Sequence, residues 1–435
     1  MLAVPLGCGD RSPSLLAPPA PPKAAPAGVP HATRPPVRPS PAVPGELIVD
    51  VADGRSIEEV HASFGTSTVH SLPGTPTYLV AAPLGVPLAD LAAGIANSQL
   101  CSGVDLNYLI ETPESEQGSF AFYDGGFDHG DYVDQGALAR IGAPAAHAVS
   151  TGAGVLVAVI DTGIDLDHPD LADNLGPAGY DFVDEDAVPA DLPDGIDEDG
   201  DGEVDEATGH GTHVAGIIAA AAPDVVLLPL RALDSDGTGT AYDVTRAIRY
   251  AISAGAQVIN LSLGLDSTVE AMEDAIQDAR DARILVVASA GNRGVQDENH
   301  FPARLSEVMA VAATNDQDLK ATFSSYGHHI SVSAPGVGIM STYWNGGYAI
   351  WSGTSMAAPF VAGAGALLLA VAPRDAEEVR RAIEDTSFDL DREQQPYRDM
   401  LGEGRIDLLS LVLASEGGGD LGGGDLGGGS AGRGD

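Results

Sequence analysis

Ser352-Gly353-Thr354-Ser355-Met356-Ala357-Ala358-Pro359 leads into an apolar run that continues to Ala372 and is stopped by Pro373. Ser355 opens what reads as a buried helix, close-packed through small residues such as Ala357, Gly363 and Gly365. The start of a helix presents unpaired backbone N–H groups and the positive end of its dipole. A serine oxygen placed there can attack a carbonyl, and neighbouring N–H groups can hold the resulting oxyanion. Two plainer readings fit the same residues. One is a capped core helix, because Ser and Thr are good N-caps. The other is a membrane span, against which stand a length near the spanning minimum and the interruption at Pro359.

Two further stretches bear on the choice. Val157-Ala158-Val159-Ile160-Asp161-Thr162-Gly163 reads as a buried strand that ends in an acid and a glycine turn. Gly209-His210-Gly211-Thr212-His213-Val214-Ala215-Gly216 reads as a glycine turn that enters a small-residue helix. With the first stretch they supply Asp161, His210 and Ser355 in that chain order, and together they resemble the subtilases, the subtilisin-like serine proteases. Ser289-Ala290-Gly291-Asn292 is similar to the family segment whose asparagine donates to the oxyanion. The resemblance covers roughly residues 135–413. It implies Ser355 as nucleophile, His210 as general base and Asp161 as the group that orients the imidazole, with Asn292 as oxyanion donor. It also implies that Gly237-Thr238-Gly239 and Ser262-Leu263-Gly264 sandwich a substrate added as a strand. Small residues around Ser262–Gly264 and Ala288–Asn292 suggest room for a large apolar side chain.

Other chemistries fit less well. A zincin helix needs two His at i and i+4 with a Glu between, whereas His210 and His213 are three apart. The second His is expected to be structural. A lipase-type hydrolase carries Gly-x-Ser-x-Gly and the order Ser, acid, His. Here position 357 is Ala, and the order is acid, His, Ser.

The 435 residues carry 63 Asp and Glu against 21 Lys and Arg, a net charge of −42, which argues against a nucleic-acid partner. Lysine occurs only at 23 and 320, and an acidic, lysine-poor surface suits salt or an extracellular medium. Cys8 and Cys101 are the only cysteines and lie in very different segments, so no disulfide framework can be read.

Residues 1–45, rich in Pro and Ala, read as a leader and extended linker. Their first residues look like the end of an export signal. Leu6-Gly7-Cys8 loosely resembles a lipoprotein cleavage box, which leaves a lipid anchor at Cys8 and a chance cysteine both open. Residues 46–113 show a β-α-β-β-α-β order, the split βαβ pattern. This is similar to the ferredoxin-like inhibitor propeptide of subtilases, with an unrelated α+β domain as the alternative. Residues 114–134, acidic and Gly-rich, read as an exposed connector, and the maturation cut is expected between Thr112 and Asp134. From residue 135 to 415, strands and helices alternate. This predicts an α/β domain with a mostly parallel sheet and helices on both faces. Residues 416–435 read as a Gly-rich disordered tail.

Asp197-Glu198-Asp199-Gly200-Asp201-Gly202-Glu203-Val204-Asp205 spaces its acids like a calcium loop. The twelfth position is Thr208, not the bidentate Glu of an EF-hand. Similar acidic inserts precede the His motif in subtilases, so calcium at Asp197, Asp199, Asp201 and Asp205 is expected. The alternative is a solvated loop. Asp170 resembles a further family calcium ligand. The whole chain reads as the self-processing precursor of a secreted, monomeric serine endopeptidase acting on proteins or peptides, with its own propeptide as inhibitor. The alternatives are a narrow peptide-processing or macrocyclising subtilase, and a peptide-binding pseudoprotease.

Overall fold

The computed structural model describes residues 40–416, apart from 115–118, 120, 124, 177–178, 298 and 391–395. The leader with Cys8 and the Gly-rich tail lie outside the described residues.

The first domain is built from β1 (Ala42–Val51), α1 (Ile57–Phe64), β2 (Ser67–Ser71), β3 (Thr77–Ala81), α2 (Leu88–Ala96) and β4 (Cys101–Glu111). This is the β-α-β-β-α-β order read from the sequence. Alternation along β1 decides what each face does. Leu47, Val49 and Val51 turn toward the domain's own helices, packing with Val60, Leu91 and Ile95. Ile48 turns the other way and joins the core of the second domain. Ser56 caps α1 in a reciprocal arrangement with Glu59, the capping box. The folded part begins before the expected boundary at 46: Ser40 already exchanges hydrogen bonds with Ser267 and with the Asp266 N–H.

In the second domain, seven strands form one sheet. In chain order they are β5 (Leu156–Asp161), β6 (Tyr180–Asp181), β7 (Val226–Arg231), β9 (Val258–Leu261), β10 (Leu285–Ser289), β11 (Val308–Thr314) and β12 (Ile330–Pro335), with β8 (Thr238–Thr240) standing outside it. The sheet order is β12-β11-β10-β9-β5-β7-β6, and every pairing is parallel. Its strands are buried on both faces, as parallel strands must be. Three short helices, α3 (His129–Val133), α4 (Gly136–Arg140) and α5 (Ala143–Ala146), precede the sheet, and Val157 and Val159 of β5 pack beneath α6 (His210–Ala221) and α9 (Thr354–Val371). Ala158 and Ile160 face α7 (Ala241–Ala254) and α8 (Glu270–Asp281). Helix α9 is apolar and long enough to cross a membrane, but it is buried in the core from Thr354 to Leu368.

Two differences from the sequence reading affect the site. The hairpin of β13 (Ile339–Tyr343) and β14 (Gly347–Trp351) went unread. Its turn signal is Asn345-Gly346, both at positive φ, the pair favoured by tight hairpins. The connector 114–134 is not simply exposed. Glu114 is buried, and Phe122 pairs with Ile350 on the open edge of β14 through two backbone bonds of 2.8 and 3.0 Å. An unpaired strand edge is a ready template for a passing chain.

Candidate active site

Asp161 ends β5 and His210 starts α6. They meet because the helix approaches the strand end closely. Gly211 lies against the Gly163 carbonyl, where any Cβ would collide. Asp161 Oδ1 accepts from His210 Nδ1 at 2.7 Å and from the Thr162 N–H at 2.8 Å. Ser355, in the first turn of α9, is fully buried. Asn292 follows β10, and its Oδ1 accepts from both the N–H and the hydroxyl of Thr354, at 2.9 Å each. That fixes the amide so that Nδ2 is turned toward the Glu114 carboxylate. Four side chains from four elements thus converge at the ends of parallel strands, where open α/β sheets place their sites.

Glu114 lies at the point of convergence. Its Oε2 accepts from Ser355 Oγ at 2.6 Å and from His210 Nε2 at 3.3 Å, and its Oε1 accepts from Asn292 Nδ2 at 2.9 Å. Burial alone would lower the pKa of His210. Asp161 first, and Glu114 after it, outweigh burial and lift it to about 10. His213 has the opposite fate: burial and the neighbouring His210 push it down to about 3. Its Nε2 donates to the carbonyls of Ile339 and Ala349, 3.2 Å each, so it is a neutral structural residue.

The chain leading to Glu114 lies between the two segments expected to hold a substrate. On one side β4 pairs antiparallel with β8, Ile110 opposite Gly239 and Glu111 opposite Thr238, and the Thr112 N–H donates to the Gly237 carbonyl at 3.1 Å. On the other side Glu111 and Gly264 exchange backbone bonds of 3.3 and 3.0 Å. Thus the first domain's sheet runs β2-β3-β1-β4-β8, its last strand supplied by the second domain. Ser262 and Leu263 do not join this pairing. The Ser262 hydroxyl turns to the Ser355 carbonyl, and Leu263 is core. The space beside Gly264 and Gly291 is not an open apolar pocket, because the His300 ring packs against both. Asp297 and Asp266 stand close to that ring.

The acidic insert curls at Gly200 and Gly202, both at positive φ. It gathers two overlapping sets of carboxylates, Asp197 with Asp199 and Asp236, and Asp199 with Asp201 and Glu206. Asp236 and Glu206 lie outside the expected set. Asp205 does not join; its carboxylate takes the N–H groups of Asp194 and Gly195. Asp170 sits elsewhere, bonded to Tyr348 and His129 at 2.6 and 2.8 Å. The sets suit a hard cation with oxygen ligands. Glu206 Oε2 is buried without a hydrogen-bond partner among the described residues, and crowding lifts Glu206 and also its neighbour Glu198, which belongs to neither set. Partial burial with Asp194 and Asp234 raises Glu198 to about 7, and burial with Asp236 raises Glu206 to about 7.

The model of the subtilase family matches residues 152–405. This chain belongs to the subtilase family. Among similar subtilases is a thermophilic serine proteinase of Bacillus sp. (strain AK1), 46% identical over 241 residues, covering 53% of this chain and 56% of that protein. Thermitase of Thermoactinomyces vulgaris is 42% identical over 258 residues, covering 57% of this chain and 86% of thermitase. The chain therefore spans little more than half of the first relative and most of the second. Among solved structures, fervidolysin from Fervidobacterium pennivorans superposes with a TM-score of 0.71 at 25% identity, over 87% of this subtilase and 62% of fervidolysin.

Sequence reading missed Asp191, a buried carboxylate that binds the acid strand to the base helix. Its Oδ1 accepts from the Gly209 N–H at 2.8 Å and the Thr162 hydroxyl at 3.2 Å. Its Oδ2 accepts from the N–H and hydroxyl of Thr212, at 3.0 and 2.6 Å. Asp191 lies in an acidic stretch with no periodic pattern, so nothing in its surroundings marked it.

Proposed function

We propose that the chain is the self-processing precursor of a secreted serine endopeptidase whose Asp161, His210 and Ser355 hydrolyse peptide bonds through an acyl-enzyme. The observation that carries this is the convergence of Asp161, His210, Ser355 and Asn292 on one point beside a strand held from both sides. In the mechanism established for subtilisin-type triads, His210 takes the Ser355 proton during attack and returns it to the leaving amine. Asp161 orients the ring and stabilises its charged form. Asn292 Nδ2 and the Ser355 N–H donate to the oxyanion. Substrates are proteins or peptides bound as an added strand between Gly237–Gly239 and Gly264, mainly through backbone bonds.

The first domain acts as the inhibitor, since β4 and the residues after it fill the same cleft. The mature enzyme is monomeric. Calcium at the Asp197–Asp201 cluster with Asp236 and Glu206 supports the fold between Asp161 and His210; its role there is structural. Export is supported by the acidic, lysine-poor composition, and a lipid anchor at Cys8 is one form it can take.

The test is Ser355→Ala. The purified variant should remain at full length and hydrolyse no peptide, while wild type shortens itself and becomes active. A Ser355→Ala protein that matured alone at the wild-type rate would refute the reading. Wild type that binds peptides without ever cutting them would favour the pseudoprotease.

A further inference from the structure

We propose that Glu114 holds the uncut chain latent: its side-chain carboxylate is a resident ligand of the site where a substrate's carbonyl oxygen must lie. The proposal rests on the protease reading above and adds a specific regulatory residue to it.

Three features of acyl transfer are blocked by this one group. A serine hydroxyl has a single hydrogen to donate. Ser355 gives it to Glu114 at 2.6 Å, so it cannot give it to His210. A general base must be free to accept a proton. His210 donates from Nδ1 to Asp161 and from Nε2 to Glu114, and both carboxylates favour its charged form. An oxyanion donor must face the developing charge. Asn292 Nδ2 is bonded to Glu114 Oε1 instead. A carboxylate carbon is a poor electrophile, so this ligand is not consumed: no bond forms or breaks while it stays.

The surrounding chain is shaped for it. Gly353 has no Cβ, and one built there would fall on the Glu114 carboxyl group. Glu114 retains only 2% of its side-chain exposure. The backbone is held on both sides of the residue. Before it, Thr112 is bonded to Gly237 and Glu111 to Gly264. After it, Trp351 Nε1 donates to the Ser119 carbonyl and Ser119 Oγ to the Ser352 carbonyl, both at 2.9 Å. A ligand tethered at both ends acts at high effective concentration. The strand pairing alone would block the cleft by occupancy. Glu114 adds a direct block at the reacting atoms, and the two are separable by substitution.

The experiment is fluorophosphonate labelling of full-length protein, scored as the labelled band at precursor mass before any processing. Wild type, Glu114→Ala, Glu114→Gln, Ser355→Ala and Glu58→Gln are compared, the last an exposed acid on α1. Loss of hydrogen bonds to a charged group is worth on the order of tenfold or more in rate. Glu114→Ala or Glu114→Gln precursor should therefore label at least about tenfold faster than wild type, with Glu58→Gln unchanged. Faster labelling in either Glu114 variant supports the latch, and Glu114→Gln, which keeps the shape, decides if Glu114→Ala fails to fold. Wild-type precursor labelling as fast as both, with the signal lost in Ser355→Ala, overturns the latch and leaves the protease reading intact. No labelling of any protein, matured wild type included, overturns both.

Discussion

Ser262 Oγ donates to the carbonyl oxygen of Ser355 at 3.0 Å, and α9 needs that bond because Pro359 has no N–H. In an unbroken helix the N–H four residues on would serve the Ser355 carbonyl. Inside a fully buried turn, an unserved carbonyl is costly. The hydroxyl that replaces the missing donor comes from the segment just after β9, so the wall of the cleft and the backbone of Ser355 are joined. Ser262→Ala should cost about 1–3 kcal/mol of stability and lower kcat more than it raises KM. Denaturant unfolding and steady-state kinetics on the matured enzyme check both. Wild-type kcat in a destabilised variant would confine the bond to stability.

Asn292→Ala should lower kcat by about 10²–10³, the range found when the corresponding donor is removed from subtilisin, with little change in KM. The same change leaves the Thr354 N–H and hydroxyl without the partner they share, so a melting-temperature decrease should accompany it. Asn292→Asp, which keeps the acceptor and loses the donor, should restore most of the stability and little of the activity.

The contact between the two domains should weaken as pH rises through the acid range. Asp105 of β4 accepts from the Glu270 N–H at the start of α8 at 2.7 Å. Burial, and the charge of Glu270, raise its pKa from 3.8 to about 6. Burial, with Asp274 and Asp50, raises Glu270 as well. An acid whose folded pKa is raised holds more protons folded than unfolded, so stability falls with rising pH between the two values. The contribution of Asp105 is therefore fully present below its unfolded value of 3.8 and lost by about pH 6. Thermal melts of full-length Ser355→Ala across pH 3.5–6.5 should show this slope, and Asp105→Asn should flatten it. An unchanged slope would place the effect on other acids.

Calcium should stabilise the second domain, and more so as pH rises past neutrality. A cation must displace the proton that Glu206, a member of the second carboxylate set, keeps near pH 7, so its affinity is expected to increase between about pH 6 and 8. A ligand that binds only the folded state adds about 2.7 kcal/mol at a hundredfold excess over Kd. Asp199 belongs to both carboxylate sets, so Asp199→Ala should remove most of the calcium-dependent rise in Tm. Magnesium, which demands a tighter octahedral site, should substitute poorly. An equal calcium response in wild type and Asp199→Ala would place the ion elsewhere.

Asp191→Ala should be among the most damaging substitutions that leave the reacting groups untouched. It strands the Gly209 and Thr212 N–H groups, at about 1–3 kcal/mol for each buried donor left unpaired. It also loosens the turn that presents His210. A large fall in both Tm and kcat is expected, and a variant with normal kcat at low temperature would show that the turn holds without it.

The residues of the proposed triad were legible in the sequence because the position of each rests on local structure. Asp161 ends an apolar strand, His210 and Ser355 open small-residue helices, and residue type with strand or helix position is enough to mark each. The same holds for the period-two faces of β1 and for α1 and α2. What surrounds those residues was decided by tertiary structure. Glu114 and Ser355 are 241 positions apart, and nothing near Glu114 distinguishes it from the other acids of its segment. Its burial follows only when β4 is clamped between β8 and Gly264. Asp191, Asp236 and Glu206 likewise sit in acidic runs without periodicity, so composition suggested solvent or a cation and could not choose which carboxylates turn inward. Local patterning reports what a residue's immediate neighbours require. A polar side chain acquires its role from partners that only chain closure brings within hydrogen-bond reach.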